Sequence, residues 1–236
     1  MPWTEGLSIM TQAELLDLHV KALFSMDGNG RLVSINEPWD NTKPAPLLYV
    51  GQTSESGPVL YTRYDVDDEL RRRANDLLQR SVAEPKVFAD LLHAKSVSEE
   101  LCYLFPRQCP ANGECVLLTA DNIRAYDLHE FGWLMEEIDT AQPCAAFLED
   151  RKVVSVCRSV RISGAHEAGI ETAVRYRGNG YAGKVLAAWS AEVHQLGRTS
   201  LYSTSKANLL SQRVADKFGL RLFATGFSID KPPAWE

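Results

Sequence analysis

Arg177-Gly178-Asn179-Gly180-Tyr181-Ala182 is the stretch on which the reading of this chain turns. A strand-like run over 168–174 leads into it, and a helical stripe follows at once. The stripe puts Ala182, Val185, Leu186, Trp189, Val193 and Leu196 on one side of a helix over 181–196, which Gly197 ends. Glycines at the mouth of a helix let backbone approach a ligand with no Cβ in the way. The helix start offers about four unpaired N–H donors and a partial positive charge. With Arg177 beside them, these are the parts of a phosphate cradle. A plain strand-to-helix turn is the competing reading.

Read literally, Gly178-x-Gly180-x-x-Gly183 matches a dinucleotide fingerprint. That site also needs an acidic residue about 20 positions on to hold a ribose. The place is taken by Tyr202-Ser203-Thr204-Ser205, without a carboxylate. The phosphate loop of nucleotide hydrolases fails too, because no G-x-x-x-x-G-K-[ST] can be laid over this stretch.

Working outward, Cys144-Ala-Ala-Phe-Leu148 and the run from Lys152 to Ile162 predict a hairpin around Glu149-Asp150-Arg151. A strand at 199–204, a helix from Ala207 to Phe218 closed by Gly219, and a strand at 220–229 complete the C-terminal half. The order β-β-β-α-β-α-β predicts an α/β fold (α+β in its mixed sheet) with helices on both faces. The N-terminal part predicts a helix over 12–25 and a turn at Asp27-Gly28-Asn29-Gly30. Strands follow near 31–35, 46–50 and 58–63, and then a helix at 66–80. Pro110-Ala-Asn-Gly113 marks the boundary between a smaller α+β domain, 1–110, and a second domain, 111–236.

Composition narrows the function classes. The net charge is -6 and no dense Lys/Arg stripe occurs, which argues against nucleic acid. Arg71-Arg72-Arg73 follows Asp65, Asp67, Asp68 and Glu69 on one predicted helix and reads as a solvated ion-pair face. No apolar run has membrane-spanning length and the start lacks the marks of a signal peptide, so a cytoplasmic protein off the membrane is expected. The five cysteines, Cys102, Cys109, Cys115, Cys144 and Cys157, form no C-x-x-C pair. The five histidines show no H-x-x-x-H spacing, so neither disulfides nor a metal site is expected.

The quoted loop resembles the R/Q-x-x-G-x-G/A motif of the GNAT superfamily of acyl-CoA-dependent N-acyltransferases. Asn208-Leu-Leu-Ser211 and Lys217-Phe-Gly219-Leu220 look like that family's N-x-x-S and K-L-G-F segments. The likeness spans about 143–229. The N-terminal part, with Asp27-Gly-Asn-Gly-Arg-Leu-Val and Asn36-Glu-Pro38, looks like the extra domain of a bacterial branch of the superfamily.

The resemblance implies a GNAT-like fold in which acetyl-CoA, as co-substrate, lies where two central parallel strands splay apart. It implies that Thr172 and Val174 pair with the pantetheine as an added strand would. Arg177, Gly178, Asn179, Gly180, Tyr181 and Ala182 take the pyrophosphate, and Asn208 makes a polar contact to the cofactor arm. The activity implied is acetyl transfer to a primary amine of a small molecule or a peptide, without a metal.

Amine transfer needs a base, an oxyanion site and an acid for the leaving thiolate. Glu171 is the first candidate base, since a mid-strand carboxylate is costly to bury; pairing with Arg158 or Arg175 is the alternative. Glu167 and His166, expected at the strand's mouth, come next. The family's usual tyrosine acid falls on Ala215, so Tyr202 and Ser211 are the substitutes. Its absence motivates a second reading, a GNAT-like domain that binds CoA as a sensor or scaffold. The N-terminal domain could deliver a protein substrate, act as a lid, or form the surface of a homodimer.

Overall fold

The computed structural model describes residues 10–80, 83–94, 96–107 and 113–230. In chain order the elements are α1 (Gln12–Leu23), β1 (Phe24–Met26), β2 (Leu32–Ile35), β3 (Leu48–Thr53), β4 (Val59–Thr62), α2 (Asp68–Arg80), α3 (Pro85–Leu91) and β5 (Ser98–Leu104). Then come β6 (Cys115–Leu118), α4 (Leu134–Glu137), β7 (Cys144–Glu149), β8 (Lys152–Ile162), β9 (Ala165–Thr172), α5 (Tyr181–Gln195), β10 (Thr199–Ser205), α6 (Leu209–Phe218) and β11 (Arg221–Ile229). Local chemistry sets several of these limits. Thr11 and Glu14 form a reciprocal capping box at the start of α1, and Gly219, with φ of 75°, ends α6 in the left-handed region.

Nine strands make one mixed sheet in the order β4-β3-β11-β5-β10-β9-β8-β7-β6. Alternation along the strands sorts its two faces. Ala145, Cys157, Ala168 and Tyr202 pack beneath α5 and α6, and Val50 and Phe227 continue that face under α2 and α3. On the opposite face Tyr49, Cys102, Ala165 and Phe223 pack under α1, and Ala146 and Val156 under the segment around α4. Helices therefore cover both faces, as the element order predicts. No helix among the described residues is long and apolar enough to cross a membrane.

The boundary placed at 110–113 falls mostly on residues outside those described. The sheet itself runs across that point: β3, β4 and β5 come from before it, and β5 lies between β10 and β11.

Only β9 and β10 pair in parallel within this sheet, and only briefly. Residues 199–201 lie opposite 165–167, and there the pairing stops. β9 continues to Thr172 against β8, while β10 continues to Ser205 against β5. The two strands part with their C-terminal halves unpaired toward each other, which opens the sheet in a V.

Candidate functional site

The V leads into an open cleft of about 1140 Å³ on the α5 face. Thr172, Arg177, Gly178, Gly180, Tyr181, Ala182 and Asn208 line it, together with Glu171, Tyr202 and Ser211. Residues 30 or more positions apart in sequence thus share one wall.

The cradle forms as the glycines allow. Gly178 has φ of 85° and Gly180 of 81°, and a Cβ at either would meet nothing within 4 Å. Their need for glycine is thus one of backbone conformation. Gly180 is the N-cap of α5 and has no side chain to take the first-turn N–H groups; the Gly183 N–H turns back to the Gly180 carbonyl at 3.1 Å, and Tyr181 and Ala182 line the cleft. Asn179 instead braces the loop, its Nδ2 donating to the Tyr176 carbonyl at 3.2 Å. Tyr181 stacks on Phe147 with ring centres 4.3 Å apart and hydrogen-bonds Glu149, which fixes the start of the helix. Trp189 anchors the middle of α5: it is fully buried and its indole N–H donates to Ser159 Oγ at 3.1 Å.

On β9, the Ala173 N–H donates to the Val154 carbonyl at 3.0 Å, turning residue 173 toward β8. Backbone groups alternate along a strand, so those of Thr172 and Ile170 turn into the opening. The Thr172 carbonyl accepts from Arg177 Nε at 3.2 Å, tying strand to loop. Val174 departs from the expectation. The strand ends at Thr172, and Val174 starts a single 3-10 turn with its side chain exposed, so it cannot extend the β9 edge.

The candidate bases separate. Glu171 sits one residue from the end of β9, half-exposed, and is not the buried mid-strand carboxylate that the sequence suggested. The splay leaves that end of the strand open to solvent. Arg158 Nη1 holds it at 3.4 Å, while Arg158 Nε is more tightly bound to Glu137 at 2.7 Å and its guanidinium lies over Trp133. Glu167 and His166 lie at the closed apex rather than the mouth, on opposite faces. Glu167 is buried toward α1, and His166 Nδ1 meets Ser159 Oγ at 2.9 Å beneath α5. Burial, with Arg198 nearby, lowers the pKa of His166. Neither residue lines the cleft.

The two substitute acids come together. Tyr202 is buried in the cleft wall, which raises its pKa, and the Ser211 hydroxyl hydrogen-bonds to it. Asn208 has a local duty as well, since its side chain caps α6 by accepting from the Ser211 N–H at 3.1 Å. Ala215 is fully buried under α5 and does not face the cleft.

With this geometry in view, no protein-family model matches the chain, and no curated protein matches it. Solved structures do. Its structural neighbours include GNAT-family acetyltransferases. A GCN5-related N-acetyltransferase from Kribbella flavida is 14% identical over 96% of this chain and 98% of its own, with a TM-score of 0.48. A GNAT-family acetyltransferase from Colwellia psychrerythraea is 15% identical over 94% and 98%, with a TM-score of 0.46. A GCN5-related N-acetyltransferase-like protein from Streptococcus suis is 15% identical over 80% and 85%, at 0.45. Likenesses this remote carry no argument about activity, so what the cleft can do rests on its own residues.

Sequence reasoning overlooked one wall. Leu210, Arg213, Val214 and Lys217 of α6 also line the cleft. Their i, i+3, i+4, i+7 spacing marks one helix face, and that spacing was the available signal. Arg177, Lys184, Arg213 and Lys217 line the opening together with Glu114, Glu130, Glu171 and Glu192, so charges of both signs border it.

Proposed function

We propose that this chain moves an acetyl group from acetyl-CoA to a primary amine of a small molecule or a peptide. The observation that carries the reading is the junction of two features: the V between β9 and β10, and the glycine-opened N-terminus of α5 at its rim. An extended pantetheine suits the unpaired edge of β9, where Thr172 and Ile170 turn their backbone groups outward. A pyrophosphate suits the loop 177–182, through first-turn N–H groups and the Arg177 charge. The cleft, at about 1140 Å³, is somewhat larger than the roughly 300–1,000 Å³ of drug-sized ligand sites, which leaves room for an extended cofactor.

The chemistry then falls to three groups. From the open end of β9, Glu171 takes a proton from the acceptor ammonium, and the neutral amine then attacks the thioester carbonyl. The buried Tyr202, hydrogen-bonded to Ser211, returns a proton to the departing thiolate; its raised pKa keeps it protonated at neutral pH. A backbone N–H on the unpaired edge of β9, beside the V, favours the negative charge that develops on the acyl oxygen.

Thiol release measured over a panel of primary amines tests the activity. Turnover with at least one amine is expected, whereas acetyl-CoA binding with no release for any acceptor would favour a sensor or scaffold. For the base, Glu171→Gln is expected to lower kcat by about 100-fold near neutral pH. Acetyl-CoA affinity should stay within about twofold, because Glu171 takes no part in the cradle. Arg158 keeps its partner Glu137, so the fold should hold. An unchanged pH–rate profile removes Glu171 from the mechanism.

A further inference from the structure

Beneath α1, on the face away from the cofactor cleft, three metal-ligating atoms converge. His19 Nε2 lies 3.2 Å from Glu100 Oε1 and 3.3 Å from Cys102 Sγ, and Cys102 Sγ lies 3.8 Å from Glu100 Oε1. Glu100 and Cys102 are alternate residues of β5 and so share a face, while His19 descends on them from α1. His19 and Cys102 are fully buried. Donor atoms of a tetrahedral zinc site stand about 3.3–3.6 Å from one another, close to the three edges observed.

Two further observations point to a cation. The first concerns what surrounds the triad. The Tyr49 hydroxyl donates to Glu100 Oε1 at 2.7 Å and also reaches the Cys102 thiol, which puts a fourth polar atom at the same centre. Gly226 of β11 makes room for it, since a Cβ there would collide with the Tyr49 ring. The second concerns His19 Nδ1. It faces Glu167 Oε1 at 3.9 Å, and both atoms are buried without a hydrogen-bond partner among the described residues. A metal-bound imidazole commonly turns its second N–H to such a carboxylate, which sets the tautomer and ring angle.

A metal-free network serves these groups poorly. Hydrogen bonds from Tyr49, His19 and Cys102 all go to Glu100 Oε1, while His19 Nδ1 and Glu167 Oε1 stay buried without a partner, and the part-buried Glu100 and the buried Glu167 face a single imidazole. A dication answers both deficits. A cavity of about 620 Å³ is lined by Glu100 and Tyr49 and so comes up to one side of the cluster, while His19 and Cys102 lie behind them.

We propose that His19, Glu100 and Cys102 bind one divalent cation of borderline softness, zinc being the best fit, with Tyr49 and Glu167 holding two of the ligands in place. Imidazole, carboxylate and thiolate together select such an ion over calcium or magnesium. The site is separate from the acyl-transfer reading and does not depend on it.

Cobalt(II) is the probe, because it reports tetrahedral geometry and thiolate ligation by absorption. Full-length chain stripped with a chelator is titrated with Co2+ and then with Zn2+. The expected result is one equivalent of Co2+ with tetrahedral visible bands and a thiolate charge-transfer band in the near ultraviolet, displaced by one equivalent of Zn2+. Cys102→Ser should remove the charge-transfer band, whereas Cys115→Ser should leave it. Glu100→Gln, which can keep the Tyr49 hydrogen bond, should weaken Zn2+ at least about tenfold. Circular dichroism of each stripped variant checks that it is folded. If folded wild-type chain takes up no Co2+ with a thiolate band, or if the band survives Cys102→Ser, the cluster is a metal-free hydrogen-bonded network and the proposal falls.

Discussion

Gly180→Asp should lower acetyl-CoA affinity on the order of 100-fold or more, about 2.7 kcal/mol or above. The substitution puts a carboxylate at the N-cap of α5, on the wall of the cleft, where a Cβ meets nothing within 4 Å and no side chain caps the helix. A fixed negative charge there repels a pyrophosphate and competes for the same donors. Two costs have to be separated, because Gly180 has φ of 81° and any side chain is strained in that conformation. Asparagine tolerates the left-handed region and matches aspartate in shape, so Gly180→Asn carries the strain without the charge. Isothermal titration calorimetry should find the asparagine variant much closer to wild type than the aspartate variant. Equal binding by wild type and Gly180→Asp would show that the loop is only a turn between β9 and α5.

Trp189→Ala should destabilise the fold by about 3–5 kcal/mol. In a chain of this size that corresponds to a fall in Tm on the order of 10 °C. The side chain is fully buried, packs 5.5 Å from Phe105 centre to centre, and donates to Ser159 Oγ. Removing it leaves a cavity between α5 and the sheet and one lost donor. Trp189→Phe keeps most of the apolar contact and loses only the hydrogen bond, so its cost should be near 1–2 kcal/mol. The consequence for function is indirect but specific, since α5 carries the cradle at its first turn. The alanine variant should bind acetyl-CoA more weakly at temperatures well below its own midpoint. A destabilisation under about 1 kcal/mol by urea unfolding would mean that α5 is held by other contacts.

Much of this molecule was legible before folding. The apolar stripe from Val185 to Val193, the glycines at 178 and 180, and the hairpin at 149–151 are local signals. Each depends on residues a few positions apart, whose backbone preferences and periodicity act within one element. The sequence by itself determined the strand–loop–helix unit, its open helix start, and the alternation of β-β-β-α-β-α-β.

What it could not determine is where strands meet. The insertion of β5 between β10 and β11, and the loss of pairing after Leu201 and Glu167, arise from packing across the whole sheet. That packing decides that Glu171 ends half-exposed beside Arg158, that Val174 leaves the strand, and that His166 and Glu167 fall on opposite faces. It also gathers His19, Glu100 and Cys102, 81 and 83 positions apart, into a group that no spacing motif announces. A strand's register depends on partners distant in sequence, so a side chain's face, burial and neighbours are tertiary properties. The loop at 177–182 could be read from its own residues, whereas the V at its rim and the cluster behind the sheet exist only once the nine strands are in order.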